Sequence, residues 1–134
     1  MDYLKMWIDN LMLKESISID RNIQVDGIRN KHLGPRIEYA KVKYEIGPSD
    51  QFSVDFSKLK TNLSTDLNGE QVEMLNFSIF GLLDILMINN TTPIKKINII
   101  FLEADFDIIN SNRMAFRNAG RDAGEKIIKI IKGI

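Results

Sequence analysis

"IKKINIIFLEADFDIINSNRMAFRNAGRDAGEK", residues 94–126, decides how the chain is to be read. Its first half is strand-patterned, with Ile97, Ile99 and Phe101 on one face and Ile100 and Leu102 on the other. A strand apolar on both faces belongs in the middle of a sheet, and the pattern predicts one over 94–109. The second half changes to helical spacing. Ser111 is placed to cap a helix whose core stripe is Phe116, Gly120, Ala123, Ile127, Ile130 and Ile134. Small residues at Ala119, Gly120, Ala123 and Gly124 leave the middle of that helix without bulk. Glycine inside a helix costs up to about 1 kcal/mol against alanine, so close approach to the sheet or to another helix must offset it.

Working back from there, "NGEQVEMLNFSIFGLLDILMINN" (68–90) reads as a long helix, acidic in its first turn and almost wholly apolar later, hence buried on more than one side. Before it, residues 57–68 are polar and irregular. "RIEYAKVKYEI" (36–46) is the cleanest strand, with Ala40, Val42, Tyr44 and Ile46 alternating with Lys41, Lys43 and Glu45. "GPSD" turns the chain, and Phe52, Val54 and Phe56 alternate again, which suggests an antiparallel meander. From Ser16, the positions Ile17, Ile19, Ile23 and Val25 make an earlier strand, followed by a loop, "DGIRNKHLGPR" (26–36). Residues 1–15 form an N-terminal extension. Leu4, Trp7, Ile8, Leu11 and Met12 lie there at helical spacing, with a strand as the alternative.

The order is thus strands, helix, strand, helix: an α+β domain over 16–134, with a four-stranded, mostly antiparallel sheet covered on one face by two helices. The absence of cysteine excludes thiolate zinc sites, thiol nucleophiles and disulfides, and leans toward a reducing compartment. The start lacks the pattern of a signal peptide and no segment reads as membrane-spanning, so the expectation is a cytoplasmic protein without a membrane partner. Eighteen basic residues balance eighteen acidic ones. That neutrality argues against non-specific coating of nucleic acid, which needs a cation for each phosphate met.

Catalytic motifs are thin. No phosphate loop is present, and His32 is the sole histidine, without the partners a zinc site requires. Glu103, Asp105 and Asp107 alternate at the end of the central strand, a spacing able to hold a hard cation or to serve as an acid–base pair in a small enzyme, although such a cluster more often just solubilises a strand end. Arg113, Arg117 and Arg121 lie along one side of the last helix. They suit RNA phosphate, and equally the wet, salt-bridged border of a packed face.

With the strand and last helix placed, "PIKKINIIFLEADFDIINSNRMAFRNAGRDA" (93–123) resembles the second half of domain IV of elongation factor G, the ribosomal translocase. The likeness is carried by Pro93, Ile97, Ile99, Phe101, Phe106, Ser111, Met114, Ala115 and Phe116, and upstream by "RIEYAKVKYEIGPSDQFSVDF"; it spans roughly 17–125. It implies the family's sheet and helices, with a left-handed βαβ crossover. It also implies that Lys31 to Arg36 and Ala104 to Asp107 are the tip loops that in the translocase meet messenger and transfer RNA. Where the family has an Asp-Gly turn and a tip histidine, this chain has Glu103-Ala104 and Asp107, and it carries no GTPase motif. The expectation is a non-catalytic binder of ribosome, structured RNA or a translation factor, without cofactor. Its contact candidates are Lys31, His32, Arg36, Phe106, Asp107, Arg113, Arg117 and Arg121. The alternative is a protein-interaction module that binds a partner or a second copy through Trp7, Leu11 and the apolar long helix.

Overall fold

The protein was analysed as a computed structural model, which describes residues 3, 5, 6, 19–88, 94 and 96–133. The expected Trp7 and Leu11 interface, Pro93 and the last stripe position, Ile134, lie outside the described residues, as does most of the N-terminal extension.

Strand β1 (Ile23–Leu33) pairs antiparallel with β2 (Arg36–Pro48) through its whole length, from Ile23 opposite Ile46 to Leu33 opposite Arg36. The loop expected over 26–36 is therefore mostly strand. Alternation fails there because both faces of residues 30–33 meet solvent, and cross-strand pairing alone makes the segment extended. Only Gly34 and Pro35 turn the chain, with Gly34 at φ 65°, a region open to glycine.

β5 (Ile97–Asp105) is central, as its two apolar faces require: antiparallel to β2 on one side, parallel to β3 (Ser53–Asp55) and β4 (Lys60–Thr61) on the other. The meander does not form, because β5 lies between β2 and β3. Periodicity identifies strands but says nothing of their neighbours. The result is a mixed, open sheet of five strands with two helices against it. β5 also stops short of the predicted 109. Its register with β2 slips so that Lys43 faces Glu103 while Tyr44 faces Phe101, leaving Leu102 as a bulge. The slip resets the alternation, so that Phe101 and Ala104 are both buried and Glu103 and Asp105 turn to the open face.

Helix α1 (Gly69–Leu83) starts with a reciprocal cap: Asn68 accepts from the Gln71 amide at 2.8 Å and the Gln71 side chain accepts from the Asn68 amide at 2.9 Å. It continues as a π-helical segment, Asp84–Ile88. Contrary to the sequence expectation, Gly69–Ile88 is long and apolar enough to cross a membrane by length and composition. Its buried Leu75, Ile79, Leu82, Leu83 and Leu86 nevertheless belong to the domain core. Helix α2 (Arg113–Lys132) is capped by Asn112, which accepts from the Ala115 amide at 2.7 Å, rather than by Ser111. Ile130 is exposed and Ile131 packs in its place, because a 3.6-residue period leaves either able to follow Ile127 and the packing selects one.

The small residues of α2 do what their spacing suggests, on both sides. A Cβ on Gly120 would strike the Ser78 carbonyl of α1, and one on Gly81 would strike the Arg117 carbonyl of α2. A Cβ on Gly27 of β1 would run into the Ala119 carbonyl. α2 is thus pressed backbone-to-backbone onto α1 and onto β1. It also closes part of the β1 edge: Asp122 accepts from the Ile28 amide at 3.0 Å and Lys126 donates to the Asp26 carbonyl at 2.8 Å.

Gly81→Ala and Gly120→Ala should each destabilise the fold by about 3 kcal/mol in chemical denaturation, since backbone rather than a flexible side chain must yield. Gly69→Ala, which meets nothing within 4 Å, should be neutral or stabilise by up to about 1 kcal/mol.

Candidate functional site

The strand directions bring three segments to one end of the sheet. These are the β1–β2 hairpin tip, the 62–68 segment before α1, and the 106–112 loop between β5 and α2. β2 outruns β5 here: the last pairing is Lys41 with Asp105, and beyond it the Tyr39 amide donates to the Asn110 carbonyl at 3.1 Å. The side chain of Asn62 brackets Phe106, donating to its carbonyl at 2.8 Å and accepting from its amide at 2.9 Å.

The 106–112 loop is held by its own polar groups. One Asp107 carboxylate oxygen accepts from the amides of Ile109 at 2.9 Å and Asn110 at 3.1 Å, and the other from the Asn110 side chain at 3.0 Å. Hydrogen bonding by the Asn110 side chain, then by the Ile109 and Asn110 amides, lowers the Asp107 pKa from its ordinary value. The Ser111 hydroxyl accepts from the Asp107 amide at 2.8 Å and donates to the Tyr39 carbonyl at 2.7 Å. Phe106 is buried and sits 4.9 Å, centroid to centroid, from Phe116. Two of the expected contact residues, Phe106 and Asp107, therefore build the loop rather than face out of it.

The hairpin divides its cations. Arg29 reaches one oxygen of buried Glu38 through two nitrogens, at 3.1 and 3.0 Å, and Arg36 takes the other oxygen at 2.7 Å. Glu38 occupies the position next outward from Ala40, Val42, Tyr44 and Ile46 on the buried face. A carboxylate in that register was the sequence signal that neighbouring arginines would be consumed. Lys31 and His32 are exposed and carry no side-chain hydrogen bond or ion pair among the described residues.

The arginine row of α2 is a set of bridges to α1. Arg113 pairs with Glu70 at 2.9 and 2.8 Å, Arg117 with Asp84 at 2.8 and 2.9 Å, and Arg121 with the same Asp84 at 2.9 Å. Arg113 and Arg117 also lie over the rings of Phe77 and Phe80, at 5.6 and 5.9 Å. The hydrogen bond to Asp84 raises the Arg117 pKa further. Arg21, Arg29, Arg36, Arg113, Arg117 and Arg121 are all the arginines of the sequence, and each has a carboxylate partner within the chain.

Of the three acidic residues weighed as cation ligands, Glu103 stands across from Lys43 and Lys60 and Asp105 from Lys41, on the open face. Asp107 is turned into its own loop, and no cluster of metal-ligating side chains occurs among the described residues. What the sequence reading missed at this end is Ile108 and Ile109, 89% and 88% exposed, which it had placed in the strand. The available signal was two β-branched apolar residues directly after the "DFD" that ends the strand, where turns usually carry polar side chains.

No family model and no curated protein matches the chain. Among solved structures it is similar to the crystal structure of ttk003000868 from Thermus thermophilus, with a TM-score of 0.64 and 16% identity over 81% of this chain. The match takes up 16% of that chain, so the same fold occurs there as one part of a much longer polypeptide. At this identity the likeness concerns the fold alone.

Asp84→Ala should cost about 2 kcal/mol, because it strands two arginines. The cost should be non-additive with Arg117→Ala by about 1 kcal/mol in a double-mutant cycle. For the loop, a carboxylate whose pKa is depressed by folding contributes its order above the ordinary carboxylate range and loses it as pH falls through the depressed value. Amide protection at Ile109 and Asn110, corrected for intrinsic exchange, should accordingly hold at neutral pH and fall in acid. Asp107→Ala should show the low protection already at neutral pH.

Proposed function

We propose that this chain is a non-catalytic binding domain of the translation apparatus, docking onto the ribosome, onto structured RNA or onto a translation factor through its loop end. The observation that carries the reading is the convergence of the β1–β2 hairpin and the 106–112 loop at one end, stitched together through Tyr39. The resemblance to elongation factor G domain IV marks Lys31 to Arg36 and Ala104 to Asp107 as tip loops. The first is the hairpin tip; of the second, Ala104 and Asp105 end β5 while Phe106 and Asp107 open the 106–112 loop. A binding rather than a chemical role is supported by how the charged groups are spent. Asp107, Glu38, Glu70 and Asp84 are all engaged in hydrogen bonds within the chain, which suits a scaffold more than an acid–base pair. The arginines of α2, bound to α1, leave the contact to Lys31, His32 and the side chains of the loop end.

Co-sedimentation with ribosomes from the source cell at low salt tests this. The wild-type chain should pellet with them. Lys31→Glu combined with Ile109→Asp should leave it in the supernatant, while Lys129→Glu, at the other end of α2, should pellet normally. A wild-type chain that stays in the supernatant overturns the reading.

A further inference from the structure

We infer that the loop end engages its partner through the Ile108–Ile109 pair, and that the partner surface is a protein pocket with an apolar floor and an acidic rim. This rests on the proposed docking function and names the chemistry of the surface docked against. The pair tops a loop whose polar atoms are already used. The carboxylate of Asp107, the hydroxyl of Ser111 and the side chain of Asn110 all bond within the loop or to Tyr39. The side chains left to meet a partner are two isoleucines, the most exposed large apolar residues among those described. A rigid apolar knob loses little conformational entropy on binding and gains the full benefit of its burial.

Three observations favour protein over RNA. Affinity for RNA draws on phosphate contacts, yet every arginine is tied to a carboxylate of the chain, leaving Lys31 and His32, on opposite faces of the hairpin tip, as the unengaged basic residues of that tip. Recognition of unpaired bases uses aromatic rings or guanidinium planes as stacking platforms. Here Phe106 is buried, Arg29, Arg36 and Arg113 are held by Glu38 and Glu70, and the rings left at this end are half-buried Tyr39 and the single imidazole of His32. Aliphatic branches fill a protein pocket better than they stack on a base. The position of the cations then sets the rim. Asn30, Tyr39 and Asn110 form one row across the hairpin and loop, which places Lys31 and Ile109 each one residue from it. A pocket that accepts the isoleucines therefore meets Lys31 at its edge, where a carboxylate is complementary.

Ribosome co-sedimentation of three proteins over a salt series, with a cross-linking arm, tests this. The wild type should stay bound as salt rises, with an affinity change of less than about tenfold between roughly 50 and 200 mM, the range in which a binder with many phosphate contacts loses about a thousandfold or more. Ile108→Ser with Ile109→Ser should weaken binding by at least about tenfold, and Lys31→Ala by about threefold. Unchanged melting temperatures establish that the variants are folded, as the exposure of all three side chains leads one to expect. Benzoylphenylalanine placed at position 108 should cross-link to a ribosome-associated protein in a product that resists ribonuclease. A ribonuclease-sensitive cross-link, or a double isoleucine variant that binds like the wild type while Lys31→Ala does not, overturns the inference and leaves the docking function standing. A wild type that fails to pellet removes both.

Discussion

Helix α2 meets its neighbours with main chain as well as side chain, and the rest of the molecule is arranged around the main-chain contact. Gly120 lies on the Ser78 carbonyl, Gly81 on the Arg117 carbonyl and Gly27 under the Ala119 carbonyl. Three glycines from three different elements thus bring a strand and two helices within backbone reach of one another. Such a contact leaves little freedom to slide, since any side chain beyond hydrogen would have to pass through a peptide group. With the axis of α2 fixed, so is its first turn at Asn112, and with that the end of the 106–112 loop. Exposed residues at the loop end owe their placement to a packing contact in the middle of the domain.

The arginines beside this contact follow from it. Where the helices meet through glycine the contact is short of side-chain bulk, and its border is finished with ion pairs laid over Phe77 and Phe80. Buried Asp84 closes α1 and receives both Arg117 and Arg121. A fork-shaped guanidinium can bridge helices while resting on Phe77 or Phe80, whereas an ammonium offers a point charge without a plane. On this helix arginine is spent on the contact with α1, while Lys126 reaches across to β1.

Much of this was legible in the residues and some was not. The two apolar faces of Ile97–Leu102 identified the central strand, and the small residues of α2 announced close packing. Pairing was the harder part. Alternation at Phe52, Val54 and Phe56 marks a strand but cannot say that β5 will separate it from β2. The bulge at Leu102 left no mark either, because a one-residue slip is decided by how Phe101 and Ala104 seat against the helices. The hairpin tip read as a loop because residues 30–33 are exposed on both faces. At the candidate site, charge drew attention to arginines that proved to be consumed. The useful signal was the reverse, apolar Ile108 and Ile109 in a turn, and it was lost by extending the strand through them.

The seating of α2 over β1 has a consequence for how the molecule meets its own kind. An open sheet ordinarily displays a row of unpaired amides and carbonyls along each border, to which another extended chain can add. Here the Ile28 amide and the Asp26 carbonyl on the β1 border are already answered by Asp122 and Lys126. The opposite border is broken into β3 and β4, three and two residues long. The β1 border is thus interrupted near its middle and the opposite one offers only short strands, so strand addition by a second copy meets an obstacle on each flank.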